Sequence, residues 1–235
     1  ALEIVRDLEA QCVIIRDFWS DEMNLIFLGA PGAGKGTLAD RVKEKLGIPT
    51  VSTGNLLREA IAEGTELGRE AERYIKDGNL VPDDVVIGLI RERLKNDDCA
   101  GGFILDGFPR TVNQAEALTD MGVRIDRAGS LEISDEKIAA RLGGRRVCPK
   151  CGASYQIDTM PPRDGVHCDK DGTPVVKRAD DDPEVVKSRL AVYHKTTEPL
   201  ISYYAEKGLL SRIDVSVCLE YSLEQFEQIV KEYQK

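Results

Sequence analysis

Apolar residues along this chain fall into two kinds of pattern. Short strand-length runs, Leu25-Ile26-Phe27-Leu28, Phe103-Ile104-Leu105, Ser130-Leu131-Glu132-Ile133 and Leu209 to Val215, suit strands covered by other elements. Between them lie stretches with a helical period: after Gly34, through 53–77, from Asp83 to Lys95, and near 112–121, 135–143 and 184–206. Strands alternating with helices predict an α/β fold, a parallel sheet flanked by helices on both faces. Residues 144–181 break the rhythm, being rich in Cys, Pro, Gly and Asp without a helical period, and read as a small inserted module. Residues 1–22 precede Met23 and look foreign to the rest of the chain, because a strand entering a glycine-rich loop ordinarily begins a nucleotide-binding domain. Met23 is therefore expected to be the native start. By itself this extension reads as an amphipathic helix with Leu2, Val5, Leu8, Cys12 and Ile15 on one side.

Size and charge narrow the picture. At 235 residues and 42% hydrophobic, the chain can bury one sizeable core carrying mobile insertions. A net charge of −9 speaks against a nucleic-acid-binding surface, so any positive charge needed for anionic substrates must be gathered locally. No apolar run approaches the roughly 18 residues of a membrane span, and no secretory signal is recognisable, so a soluble cytoplasmic protein is expected. In that compartment six cysteines read as thiols and metal ligands.

The most telling chemistry is the stretch Gly29-Ala-Pro-Gly32-Ala33-Gly34-Lys35-Gly36-Thr37 directly after the first apolar run. Glycines let backbone N–H groups wrap an anion, the lysine adds charge at the β/γ-phosphates, and the following helix aims its positive end at the same place. A nucleoside triphosphate is the implied ligand. The general pattern has Ser or Thr after the lysine to hold Mg²⁺; here Gly36 stands there and Thr37 comes one later, so Mg²⁺ should rest mainly on phosphate oxygens and waters. Asp106, ending a second apolar run, is the carboxylate expected to hold those waters.

Cys148-Pro-Lys-Cys151 and Cys168-Asp-Lys-Asp171 are two ligand pairs sixteen residues apart. Their spacing predicts a tetrahedral Cys₃Asp site for structural Zn²⁺, with His167 as an alternative ligand. Arg58, Arg110, Arg141, Arg145, Arg178 and Arg189 are scattered through an acidic chain. Singly each reads as a solvated surface charge; as a group they could clamp phosphates.

Together, Ser52-Thr-Gly-Asn-Leu-Leu-Arg58, Leu105-Asp-Gly-Phe-Pro-Arg-Thr111, Gly143-Gly-Arg-Arg146, Arg178-Ala-Asp-Asp181 and Arg189, in this order behind the glycine loop, resemble bacterial adenylate kinases of the long-lid, zinc-containing type. The likeness runs from Met23 nearly to the C-terminus. It implies the P-loop nucleoside monophosphate kinase fold: a core of 23–51, 82–143 and 182–235, an AMP-binding domain of 52–81 and a zinc lid of 144–181. It also implies reversible transfer of the ATP γ-phosphoryl to AMP, giving two ADP, by a monomer. Carried over by residue, Gly32, Ala33, Gly34, Lys35, Gly36, Thr37, Arg141, Arg145, Ser154, Tyr155 and Val217 would bind ATP. Thr53, Arg58, Asn79, Leu80, Val81, Gly107, Phe108, Pro109, Arg110 and Gln114 would bind AMP. Arg178 and Arg189 would bridge the two sets of phosphates, and Lys35, Asp106, Arg110, Arg145, Arg178 and Arg189 would carry catalysis. Two departures stand out: Asn55 where an acid is common, and Asp214-Val215 without the glycine often found near the ATP adenine. Residues 1–16 separately resemble the cytosolic C-terminal tail of the large subunit of the bacterial protein-translocation channel, which implies a fusion or read-through of neighbouring genes.

The acceptor, a phosphate with a second pKa of about 6, is already ionised at neutral pH, so no general base is required. Accordingly neither histidine, His167 nor His194, lies in a nucleotide motif. The alternatives are a kinase for CMP or UMP or one using GTP as donor, a zinc-ribbon nucleic-acid binder, which the acidic charge opposes, and a kinase localised at the membrane by residues 1–22.

Overall fold

The computed structural model describes residues 23–233, so the readings of residues 1–22 lie outside the described residues. Strand β1 (Met23–Leu28) enters the glycine loop, from which α1 (Lys35–Leu46) leaves. Next come β2 (Thr50–Ser52), then α2 (Thr53–Ala62), α3 (Glu66–Lys76) and α4 (Asp83–Arg93). They are followed by β3 (Gly102–Asp106), α5 (Val112–Asp120), β4 (Arg127–Glu132) and α6 (Asp135–Gly144). A hairpin of β5 (Arg145–Val147) and β6 (Ser154–Gln156) opens the insert. The chain returns through α7 (Pro183–Val192), α8 (Pro199–Glu206), β7 (Leu210–Asp214) and α9 (Leu219–Tyr233).

Five strands form one parallel sheet in the order β2-β3-β1-β4-β7 among the described residues. Because successive strand residues point to opposite faces, β1 feeds two cores. Leu25 and Phe27 pack with Leu38, Ala39 and Val42 of α1 and with Phe226 and Val230 of α9. The Phe27 and Phe226 rings meet edge to face with centroids 5.8 Å apart. Ile26 and Leu28 join Val86 and Ile90 of α4, Ala115 and Leu118 of α5, and Leu200 and Tyr204 of α8 on the other side. Both faces are thus sealed, and the loops after β1 and β3, whose ends pair at Phe27 and Asp106, leave the same edge side by side. That edge carries the site.

The expected strands and helices are present, with three differences. The short β2 is made of Thr50, Val51 and Ser52, too brief to signal itself, and is recruited by pairing with β3. The expected helix over 184–206 is divided into α7 and α8 by a turn at Tyr193–Thr197. Pro199 would collide with the carbonyl four residues earlier, and the helix widens so that Glu198 N donates to Tyr193 O, five residues back, at 2.9 Å. Helix α9 was not foreseen; its buried stripe of Ser222, Phe226 and Val230 is only three residues wide in an otherwise polar segment.

Helices α2 and α3 form the small insert after β2. Thr65 accepts the Gly68 N–H at 3.0 Å and starts α3, and the two helices cross where Gly68 lies on Ala60. A Cβ at Gly68 would stand 2.0 Å from the Ala60 carbonyl oxygen, so only glycine permits this approach.

Candidate active site

The loop Gly29–Gly34 wraps around an open space above α1. Gly32 has φ of +85°, and a Cβ there would lie 2.8 Å from the Leu142 side chain, so its glycine is required by both conformation and space. Gly34, also left-handed, starts α1 with no side-chain cap, leaving the first helical N–H groups for a ligand. Lys35 donates to the carbonyl oxygens of Gly29 at 2.7 Å and Ala30 at 2.9 Å, which holds its ammonium against the loop. Burial pushes its pKa down to about 8, opposed by Asp106 and reinforced by Arg110, Arg189 and Arg145. An anion here would add to the countercharge that Asp106 supplies.

Asp106 ends β3 beside the loop. Its Oδ2 accepts from Ser52 Oγ at 3.2 Å, and a Cβ on Gly36 would stand 3.6 Å from the same oxygen. The carboxylate therefore opens toward the loop with no side chain between. Gly107 O accepts from Thr53 Oγ1 and from Arg110 Nε, both at 2.8 Å, tying the start of α2 to the turn after β3. The Phe108–Pro109 peptide bond is cis.

Opposite the loop stands a wall of guanidinium groups. Arg178 is paired through Nε with Asp180 at 2.8 Å, and Arg189 Nη1 reaches Asp180 Oδ2 at 2.9 Å. Arg145 pairs with the fully buried Asp181, donating through Nε at 2.8 Å and through Nη2. Burial raises the Asp180 pKa, but Arg178, Arg189 and Arg145 outweigh it and leave the group at about 2. Burial, aided by neighbouring arginines, lowers Arg58 to about 9 and Arg189 to about 10, and burial also lowers Arg110. Such crowding of like charge is costly until an anion enters, which is the electrostatic signature of a polyanion site. Arg141 of α6 spans a different pair of elements, donating to Ala33 O at 3.3 Å and to Val215 O at 2.6 Å.

In the insert, Cys148, Cys151, Cys168 and Asp171 bring one donor atom each within 4.8 Å of all the others. Cys151 and Cys168 Sγ are 3.5 Å apart, and Cys148 Sγ lies 3.4 Å from Asp171 Oδ2. His167 instead faces Asp164 at 2.7 Å, so the donor group closes without it. Beneath lies a small apolar cluster of Cys148, Ala153, Tyr155 and Cys168 with Val175 packed on it. Tyr155 donates its hydroxyl to Cys168 Sγ at 3.3 Å and accepts the Asp169 N–H at 2.8 Å. The tip of the insert crosses the cleft, where a Cβ on Gly152 would be 3.9 Å from Asn55 Nδ2 of α2.

A protein-family model described as adenylate kinase matches residues 27–209. The chain belongs to the adenylate kinase family. The adenylate kinase of Archaeoglobus fulgidus is 50% identical over 213 residues, covering 89% of this chain and 98% of the relative. That of Oceanobacillus iheyensis is 47% identical over 213 residues, covering 89% and 99%, and that of Caldicellulosiruptor saccharolyticus is 52% identical over 192 residues, covering 80% and 89%. As an adenylate kinase the chain transfers the ATP γ-phosphoryl group to AMP, reversibly, giving two ADP.

Against that function, the cleft of about 1310 Å³ gathers nearly every residue read from the sequence. Gly32 to Thr37, Arg141, Arg145, Ser154, Tyr155 and Val217 line it, as do Thr53, Arg58, Asn79 to Val81, Gly107, Pro109, Arg110, Gln114, Arg178 and Arg189. Phe108 differs: its ring is fully buried in the core, so only its backbone is available to a nucleotide. Tyr155 is largely buried with its hydroxyl engaged on Cys168, and Val217 is 65% exposed. Asp180, Asp181 and Asp83 were not singled out from sequence. The run Arg178-Ala-Asp-Asp181 carried a signal for the first two, since acids beside an arginine expected at a phosphate site are natural holders of guanidinium groups.

Proposed function

We propose that ATP lies over the glycine loop and AMP against residues 52–81, with the arginine wall between them and residues 144–181 as a lid. The observation that carries this reading is the convergence of Lys35, Asp106, Arg58, Arg110, Arg145, Arg178 and Arg189 on one cleft. Backbone N–H groups from Gly32 to Thr37 and the Lys35 ammonium would hold the β- and γ-phosphates. Arg58 and Arg110 would take the AMP phosphate. Arg145, Arg178 and Arg189, already oriented by Asp180 and Asp181, would neutralise the oxygens of the transferring group. The AMP phosphate attacks without a general base. Consistent with this, His194 is turned away between Asp135 and Glu198, at 3.0 and 2.9 Å. Catalysis is then placement of two polyanions in line and exclusion of water by the lid.

The residues present fit both expected metals. Asp106, open toward Gly36, would hold waters of the Mg²⁺ that accompanies ATP, and that ion supplies charge neutralisation at the phosphate oxygens. Three thiols and a carboxylate within 4.8 Å suit Zn²⁺, whose ligand atoms lie about 4 Å apart in a tetrahedron with bonds of about 2.3 Å. Zn²⁺ would order the lid, with four protein ligands leaving no position for substrate. A monomeric cytoplasmic enzyme completes the reading.

Separating the two nucleotide sides tests it. Arg58→Lys should raise KM for AMP about tenfold with little change for ATP, and Arg141→Lys should do the reverse. Equal effects of each substitution on both nucleotides would contradict the division of the cleft.

A further inference from the structure

Gln114 is 2% exposed and lines the cleft, and its carboxamide is held between two groups of opposite demand. Its Nε2 faces Asp83 Oδ1 at 2.7 Å, and its Oε1 faces the backbone N–H of Arg110, also at 2.7 Å. An ionised carboxylate can only accept a hydrogen bond and a backbone N–H can only donate one. Turning the amide over would set oxygen against carboxylate and NH₂ against N–H, so the network itself fixes the orientation. Asp83 is fixed in turn: its other oxygen accepts from Thr111 Oγ1 at 2.8 Å and Asn113 Nδ2 at 2.9 Å.

We infer that Asp83 is a specificity-determining positioning residue, which locks the Gln114 amide in the orientation that reads the 6-amino edge of the acceptor purine. This rests on the reading of Gln114 as an AMP contact. With one N–H and one lone pair engaged, Gln114 keeps one Nε2–H and one Oε1 lone pair. Adenine answers that pair with a 6-amino donor for the oxygen and an N1 acceptor for the nitrogen. A 6-oxopurine presents the reverse, O6 against oxygen and N1–H against NH₂. Rejection of 6-oxopurine monophosphates therefore depends on a residue that need not touch the nucleotide.

The test measures phosphoryl transfer from saturating ATP to AMP and to IMP. In Asp83→Asn the new amide keeps its oxygen toward Thr111 and Asn113 and turns its NH₂ to Gln114, so the two partners of the Gln114 amide now oppose each other and only the Arg110 N–H still holds the original orientation. The AMP/IMP ratio of kcat/KM should fall by about tenfold or more, chiefly through KM for AMP. Asp83→Glu, still an obligate acceptor, should keep most of the preference. Asn113→Ala, which removes a contact to Asp83 but none to Gln114, should leave the ratio unchanged. A ratio in Asp83→Asn within twofold of the unsubstituted enzyme, or equal loss in all three variants, overturns the inference. Gln114→Ala separates the two layers: unchanged KM for AMP in that variant removes the underlying contact, whereas a raised KM with an unaltered ratio in Asp83→Asn removes the role of Asp83 alone.

Discussion

The sheet core and the insert of residues 144–181 both present charged groups to the same cleft, but they are held together in different ways. In the core, β1 lies between two apolar clusters and its loop needs only glycine geometry and one lysine to become an anion cradle. The insert buries a single small cluster, two of whose four buried members are the cysteines Cys148 and Cys168, and its backbone pairing is a three-residue hairpin with isolated bridges at Val147–Val176, Gln156–Met160 and His167–Pro174. So little apolar burial gives a module weak support, and under the proposed zinc site the donor group of Cys148, Cys151, Cys168 and Asp171 would be the cross-link that stands in for a core. On the proposed reading, such a module would move as a unit against the sheet core, which is what water exclusion during phosphoryl transfer calls for.

The contrast breaks most visibly at Lys35. Lys35→Met should lower kcat/KM by about a hundredfold or more while leaving the melting temperature unchanged or slightly higher, because the native site depresses the lysine's pKa and holds its charge at a cost. Loss of fold, by circular dichroism, would contradict the separation of charge from core stability. Cys151→Ser should reverse the signature. Metal content falls from one zinc per chain, proteolysis begins within residues 144–181, and activity drops about tenfold, while the core melts nearly as before. Equal destabilisation of core and lid would mean that the two are one cooperative unit. Gly32→Ala combines a positive φ with collision against Leu142 and should cost about 1–3 kcal/mol in denaturant unfolding.

The smallest effect is a pH dependence. The Lys35 pKa lies at about 8 because burial lowers it from 10.5. The charged form is the one the folded state disfavours, so stability should rise slightly as pH passes from 8 toward 10. Over the same range kcat/KM, which reports the free enzyme, should decline as the ammonium is lost. Bound phosphates raise the pKa again, so kcat should hold to higher pH. A flat kcat/KM up to pH 10 would remove Lys35 as the titrating group.

How much of this was legible beforehand depended on distance along the chain. The glycine loop and the Cys₃Asp group could be read directly, because their chemistry is written in contiguous residues or fixed spacings, and the donor atoms indeed converge. The alternation of β1, β3, β4 and β7 with helices was equally plain, each strand being an apolar or alternating run. What escaped was long-range pairing. Asp83 meets Gln114 across thirty-one positions, and Asp181 meets Arg145 across thirty-six. Nothing in one carboxylate's local sequence says which distant amide or guanidinium it will orient. Strand β2 escaped for the same reason, since only its pairing with β3 makes it a strand.

The most direct measurement is ADP formation by the purified protein with Mg²⁺-ATP and, in turn, AMP, CMP, UMP and GMP, beside a reaction without acceptor. A strong preference for AMP and negligible ADP in its absence is the predicted result. Preference for another acceptor would contradict the adenine-reading site, and equal ADP production without acceptor would contradict the two-nucleotide cleft altogether.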